Sequence, residues 1–75
     1  MLRMTQPAIR GAWYQPGRRS LDLLFGSGRL YRYANVPAHV AHGLAEAAFK
    51  GRFYNSEIRN RYACTQLDLE LAEVA

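Results

Sequence analysis

The chain has little that would support disulfide chemistry, membrane insertion or secretion. Its one cysteine, Cys64, excludes an intrachain disulfide, and no neighbouring base would activate that thiol as a nucleophile. No run of about 18 apolar residues predicts a membrane-spanning helix. The first seven residues lack the apolar segment of a signal peptide. We therefore expect a cytoplasmic protein that does not contact membranes.

Residue patterns typical of enzymes are also lacking. The sequence contains no glycine-rich phosphate loop, nucleophile elbow or zinc-knuckle spacing. His39, His42 and Glu46 share one face of a predicted helix, but two histidines usually need further ligands from elsewhere to hold a metal. A chain of 75 residues makes a single domain with a thin stability margin. We expect a single domain over residues 1–75 that binds a partner without catalysis, metal or cofactor.

Acidic residues and lysine are scarce, and the charges are unevenly distributed. Residues 1–62 hold ten basic residues, nine of them arginine, against three acidic ones, which gives a net charge of +7. Residues 63–75 hold three acidic residues and no basic one, for a net charge of −3. A basic body favours polyanionic partners such as RNA, DNA or an acidic protein surface. The acidic tail could instead fold onto the body and neutralise it.

The first half of the chain predicts an antiparallel meander of three strands. Residues 8–14, 20–25 and 29–33 are rich in apolar and aromatic side chains, and glycine-containing turns separate them. Leu21, Leu23 and Phe25 share one face of the second strand because side chains alternate along a strand.

The periodicity then changes to that of a helix. Val36-Pro37 begins it, and Val40, Leu44, Ala47 and Ala48 form an apolar stripe, with Gly51 predicted as the C-terminal cap.

A second, shorter helix is predicted over residues 56–62, with Asn55 as its N-cap and a Glu57–Arg61 pair on its surface. Residues 65–71 alternate between leucine and polar side chains and predict a fourth strand, with a helix over the last residues as the alternative. The fold class is α+β: an antiparallel meander of three to four strands with two short helices mainly on one face.

Tyr31-Arg32-Tyr33 is the first candidate for binding. On a strand, Tyr31 and Tyr33 lie on one face and Arg32 lies on the other. Two aromatic rings at this spacing can stack successive bases of single-stranded RNA. The alternative is that both rings belong to the core beneath the helix, with their hydroxyls bonded to polar partners.

The run from Gly51 to Arg61 is the second candidate. If a helix begins near Ser56, its free N–H groups and positive dipole end suit a phosphate, and Arg52, Arg59 and Arg61 surround that point. Tyr54 adds a third ring for stacking. The alternative is a structural turn in which Phe53 and Ile58 are buried and the arginines are solvated.

These residues resemble the KTSC domain, a short module at the C-terminus of some lysyl-tRNA synthetases that also occurs as a stand-alone protein. The resemblance covers about residues 8–62, and Gly-x-aromatic-aromatic-Asn-x-x-Ile-Arg from Gly51 to Arg59 is its most specific part. The other matching positions are Tyr14, Leu21, Phe25, Gly28, Tyr31, Tyr33, Val36, Pro37, Ala47 and Tyr62. Phe49 stands where the family tends to have serine, and Gln15 where it tends to have an acid.

The resemblance implies proximity to RNA and supplies no catalytic residues. Together with the basic charge it predicts binding of RNA, such as tRNA or another structured RNA. The predicted contacts are Arg52, Arg59 and Arg61 for phosphates and Tyr31, Tyr33 and Tyr54 for bases, with Arg32 as a further nucleic-acid contact. The alternative is a protein-interaction module that meets an acidic partner or self-associates through a sheet edge, as a monomer or weak dimer.

Overall fold

A four-stranded antiparallel sheet forms the body of the structure, a computed structural model that describes residues 7–67. Strands β1 (Ile9–Gln15), β2 (Ser20–Phe25), β3 (Leu30–Tyr33) and β4 (Cys64–Leu67) lie side by side in chain order. Helices α1 (Ala38–Glu46) and α2 (Lys50–Glu57) occur between β3 and β4. The predicted α+β meander is therefore confirmed, with four strands.

The first three strands lie within a residue or two of their predicted positions. The turn after β1 brings Arg19 to a φ of 56°, and its backbone carbonyl accepts a bond from the Val36 N–H at 2.8 Å. The hairpin between β2 and β3 closes at Gly28, whose φ of 94° is easily adopted only without a Cβ. Breaker residues at both turns thus set the strand boundaries.

Both helices differ from their predicted bounds. Helix α1 ends at Glu46, where Ala47 turns to extended backbone and the Lys50 ammonium donates to the Ala45 and Ala47 carbonyls at 3.1 and 2.9 Å. Gly51 is therefore not a cap but a residue of α2. Ala48, predicted in the apolar stripe, is exposed because the helix has ended before it.

Helix α2 starts six residues earlier than predicted. Phe49 precedes it, so the prediction of Asn55 as N-cap was wrong, and Asn55 lies inside the helix. Ile58 has non-helical backbone angles and Asn60 has a φ of 63°, which ends the helix before residue 62. The predicted Glu57–Arg61 pair does not form, since the Arg61 Nε donates to the Ser56 carbonyl instead.

The core lies between one face of the sheet and the two helices. Leu21, Leu23 and Phe25, which share one face of β2 as predicted, are buried. They pack with the remaining buried apolar residues Tyr33, Val36, Val40, Ala41, Leu44 and Ile58. The helices approach closely at Gly43, where an added Cβ would come within 2.8 Å of the Phe53 ring.

The fourth strand is confirmed over Cys64–Leu67, where it pairs antiparallel with β3. The rest of its predicted span, including Leu69 and Leu71, lies outside the described residues. No helix in the described part of the chain is long and apolar enough to cross a membrane.

Candidate functional site

A cluster of aromatic rings occupies the helix side of the sheet near β3 and β4. Tyr33 is 3% exposed, and its hydroxyl lies 2.8 Å from the Tyr54 hydroxyl of α2. Burial and the hydrogen bond to Tyr54 raise the pKa of Tyr33 well above its usual value. Tyr33 therefore stays protonated at physiological pH and offers a neutral hydrogen-bonding group.

Phe25 joins the other rings into one cluster. Its ring meets Tyr31 and Tyr54 edge to face, with centroid separations of 5.7 and 5.2 Å. Tyr33 and Tyr54 meet in the same way at 6.1 Å. Such packing fixes the ring orientations. Tyr31 and Tyr54 remain half-buried, so each presents part of its surface to solvent.

A cavity of about 380 Å³ opens beside these rings. It brings together four residues that the sequence proposed for binding: Tyr31, Tyr33, Tyr54 and Arg59. Pro7, Phe25 and Cys64 complete its lining. A neighbouring cavity of about 530 Å³ shares Pro7, Phe25 and Tyr31 and adds Arg29. We call the two cavities together the tyrosine cleft.

Of the arginines predicted to bind phosphate, Arg59 is the one that lines this cleft. It follows α2, and its backbone N–H donates to the Tyr54 carbonyl at 2.8 Å. Its side chain donates a long bond of 3.4 Å to the Asn55 amide oxygen. Arg59 thus lines the cavity with the rings, and its guanidinium has no carboxylate partner among residues 7–67.

The other predicted phosphate contacts lie elsewhere. Arg52 lies in the first turn of α2 with its guanidinium 5.2 Å from the centre of the exposed Phe49 ring. Arg61 follows α2, and its Nε donates to the Ser56 carbonyl within that helix at 3.1 Å. These positions contradict the expectation that the arginines surround a helix N-terminus, because Arg59 and Arg61 follow the C-terminal end of α2, where cations complement the negative dipole.

Arg32 lies on the opposite face of the sheet from the tyrosine cleft. Its Nε and Nη2 donate to the two carboxylate oxygens of Asp22 at 2.8 and 2.9 Å. This forked pair raises the pKa of the Arg32 guanidinium. Arg32 therefore neutralises a neighbouring carboxylate and does not face the rings that flank it in sequence.

Sequence reasoning did not assign Phe25, Arg29 or Cys64 to a site. Phe25 was placed only on one strand face with Leu21 and Leu23, and Cys64 was treated as an incidental thiol. The register of β3 and β4 pairs Cys64 with Tyr33 and so brings the cysteine into the cleft. A correctly predicted β3–β4 pairing would have signalled this.

The histidine face of α1 forms an ordinary surface contact. His42 Nε2 lies 3.0 Å from the Glu46 carboxylate, and both side chains are exposed. Within residues 7–67, no three histidine, cysteine or acidic side chains converge as metal ligands would.

Comparison with known proteins places the chain in a family. The sequence profile of the KTSC domain matches residues 7–62. The protein belongs to the KTSC domain family. A crystal structure of a KTSC domain protein from Yersinia pestis superposes with a TM-score of 0.79 at 25% identity, covering 91% of this chain and 94% of the other. The resemblance stated from the sequence is therefore confirmed.

Curated relatives of this KTSC domain occur both alone and within a larger protein. A protein of Tsukamurella paurometabola is 37% identical over 60 residues, which is 80% of this chain and 90% of the relative. An uncharacterised protein of Stutzerimonas stutzeri is 36% identical over 55 residues, or 73% and 78% of the two chains. A lysine–tRNA ligase of Nostoc sp. is 34% identical over 59 residues, 79% of this chain but 10% of the ligase.

Proposed function

We propose that this KTSC domain binds RNA without catalysis, and that the tyrosine cleft receives an unpaired base. The observation that carries the proposal is the convergence of Tyr31, Tyr54 and Arg59 on one cavity of about 380 Å³. Bases that are not paired can leave the stack and pack against aromatic side chains. A cavity lined by aromatic rings, with one cation at its rim, suits a base and its phosphate together.

The polar groups of the cleft support the same chemistry. In the Tyr33–Tyr54 pair one hydroxyl donates to the other, which leaves one O–H able to donate to a ligand. A base carries ring nitrogens and carbonyl oxygens that accept such a bond. Arg59 can donate to a phosphate oxygen, and Arg29 lies at the far end of the cleft for a neighbouring phosphate.

The relatives support an RNA partner more than a DNA one. One relative is a lysine–tRNA ligase, in which a segment similar to this domain makes up a tenth of the protein. The chain itself has a formal charge of +4, which favours association with a polyanion. We therefore choose tRNA, and unpaired RNA in general, as the first ligands to test.

Binding is best measured by titrating a labelled single-stranded RNA and a tRNA pool at several salt concentrations. For Arg59→Ala we expect weaker binding and a log–log salt slope smaller by about one, since one phosphate contact is lost. For Tyr31→Leu we expect a loss of about 5- to 150-fold, the range that corresponds to removing a stacked base. Thermal unfolding followed by circular dichroism verifies that both variants fold.

Arg32→Ala is the matched control, because it removes one positive charge from the opposite face of the sheet. It should leave the salt slope unchanged. Equal losses for Arg32→Ala and Arg59→Ala would show that only net charge matters and would reject the cleft as the site. Preferential binding of an acidic polypeptide, with no RNA bound at low salt, would favour the protein-interaction alternative.

A further inference from the structure

The outer face of the sheet, opposite the helices, carries an ordered apolar surface. The strand register places two rows across it, each containing one residue per strand. One row is Trp13, Asp22, Arg32 and Thr65, and the other is Gly11, Leu24, Leu30 and Leu67. Neither helix of the described residues packs on this face, since the buried residues of α1 belong to the core on the other side and the partly buried Phe53 and Tyr54 of α2 pack against that core.

Trp13 is the dominant feature of this outer face. Its side chain is 55% exposed. The indole lies flat over Gly11, because a Cβ added at Gly11 would come within 2.5 Å of the indole Cη2. A large ring held in one orientation loses little freedom on binding, which is the property of an interface anchor. Three half-buried leucines, Leu24, Leu30 and Leu67, extend the apolar surface beside it.

The charges of the outer face point to its partner. Its two rows contain one acid and one base, Asp22 and Arg32, and these neutralise each other in a forked pair. Residues 7–67 contain nine basic and three acidic residues, so the surplus of positive charge lies away from these rows. Within these two rows the face therefore offers no free cation to RNA or to an acidic protein. It is also where a second copy of this basic chain meets the least repulsion.

We propose that two copies of this domain associate through their outer faces, sheet against sheet, with Trp13 at the centre of the interface. Sheets that pack face to face bury their apolar side chains in a layer about 10 Å thick. A two-fold axis would set each neutral Asp22–Arg32 pair against its equivalent or against apolar side chains. The tyrosine clefts, on the helix side, then remain open at the two ends of the dimer.

The area of the face determines how strong this association is. Four strands spaced about 4.8 Å apart and paired over four to six residues present roughly 300–400 Å² per copy. A standard stable interface buries about 800 Å² per partner. The dimer is therefore weak and forms only at high protein concentration.

The single tryptophan of the chain makes Trp13 emission a direct probe of the outer face. We expect the emission of the full-length protein to shift to the red on dilution, in parallel with a fall in mass by sedimentation velocity. Leu30→Lys keeps the fluorophore but places a charge in the interface. It should raise the dimer dissociation constant at least about tenfold.

Phe49→Ala is the matched control for Leu30→Lys. Among residues 7–67, Phe49 is the other large exposed apolar residue, 64% exposed at the start of α2, and it lies outside the two rows. This variant should dimerise as the unaltered chain does. Circular dichroism melts verify that both variants are folded.

Three outcomes would overturn the proposal. A blue-shifted emission that does not change with dilution, and that turns red when residues 68–75 are deleted, would mean that the chain covers its own face. A monomer at millimolar concentration with red-shifted emission would mean that no copy binds there. A change of Trp13 emission caused by RNA and not by dilution would assign the face to nucleic acid.

Discussion

The two faces of the sheet are built from the same strands but differ in what covers them and in how their arginines are paired. On the helix side, alternate residues of β2 and β3 pack against the two helices, and the half-buried Tyr31 lines a cleft in which Arg59 has no carboxylate partner among residues 7–67. On the outer side, the residues between them form an apolar surface whose only arginine in the two rows is paired with Asp22. Alternation along a strand thus separates a candidate RNA site from a candidate self-association surface.

This difference shows that the contacts of an arginine in the fold cannot be inferred from its neighbours in the sequence. Arg32 lies between two tyrosines in sequence and is a predicted nucleic-acid contact. The fold directs it away from both rings and gives it a carboxylate. Arg59 lies far from β3 in sequence, and the fold brings it to the rings. The two arginines therefore differ in their partners: Arg32 is paired with Asp22, and Arg59 has no carboxylate partner among residues 7–67.

The largest contrast between the two faces is expected in stability. Leu23 is fully buried on the helix side, so Leu23→Ala should lower the free energy of unfolding by about 2–5 kcal/mol through lost burial and a residual cavity. Leu24 is its neighbour on the outer side and is half-buried, so Leu24→Ala should cost less than about 1 kcal/mol. Urea denaturation at low protein concentration measures both. Equal costs would mean that the outer face is covered within a single chain.

A second contrast appears at alkaline pH. Tyr33 has a raised pKa in the folded protein because it is buried and bonded to Tyr54, whereas an unfolded tyrosine ionises near pH 10. Above that pH the unfolded chain releases a proton that the folded chain retains. Tyr33 therefore lowers the stability by up to about 1.4 kcal/mol for each pH unit above about pH 10.

Comparison with Tyr33→Phe isolates this effect, because the variant keeps the ring and has no proton to release. Below about pH 10 the variant should be less stable by roughly 1 kcal/mol through the lost hydrogen bond. As the pH rises further, the unaltered protein should lose this advantage. Urea denaturation at a series of pH values tests this, and parallel pH profiles for the two proteins would contradict the buried, raised pKa of Tyr33.

The sheet could be predicted closely from the sequence, and the helices less so. Pro16-Gly17 and Gly26-Ser27-Gly28 mark the turns, and Leu21, Leu23 and Phe25 alternate clearly, so the strand positions follow from local rules. The break between α1 and α2 depends instead on contacts that form only in the fold. Lys50 caps the carbonyls of α1, and Phe53 packs at Gly43. Gly51 was predicted as a cap because helix-capping rules consider only neighbouring residues in the sequence and not these contacts.

Of the candidate site, the residue types could be predicted but their arrangement could not. The sequence singled out Tyr31, Tyr54 and Arg59, which the fold brings to one cleft. It also included Arg52 and Arg61, which lie outside the lining of that cleft. Their grouping depended on a helix start near residue 56, and that start is wrong by six residues. An error in one helix boundary was thus enough to group the wrong arginines in the predicted phosphate site.

The smallest expected effect is the coupling energy of the Asp22–Arg32 pair on the outer face. The Arg32 side chain is 43% exposed and the Asp22 side chain 20%, so water and salt screen the pair when a single chain is free. In a double-mutant cycle with Asp22→Asn and Arg32→Gln, the denaturation midpoints should be nearly additive at low protein concentration and additive within error in about 1 M salt. If two outer faces associate, the pair loses water, and its coupling should grow with protein concentration and resist salt. Coupling that is strong and salt-resistant in the dilute monomer would show that the outer face is already covered by its own chain.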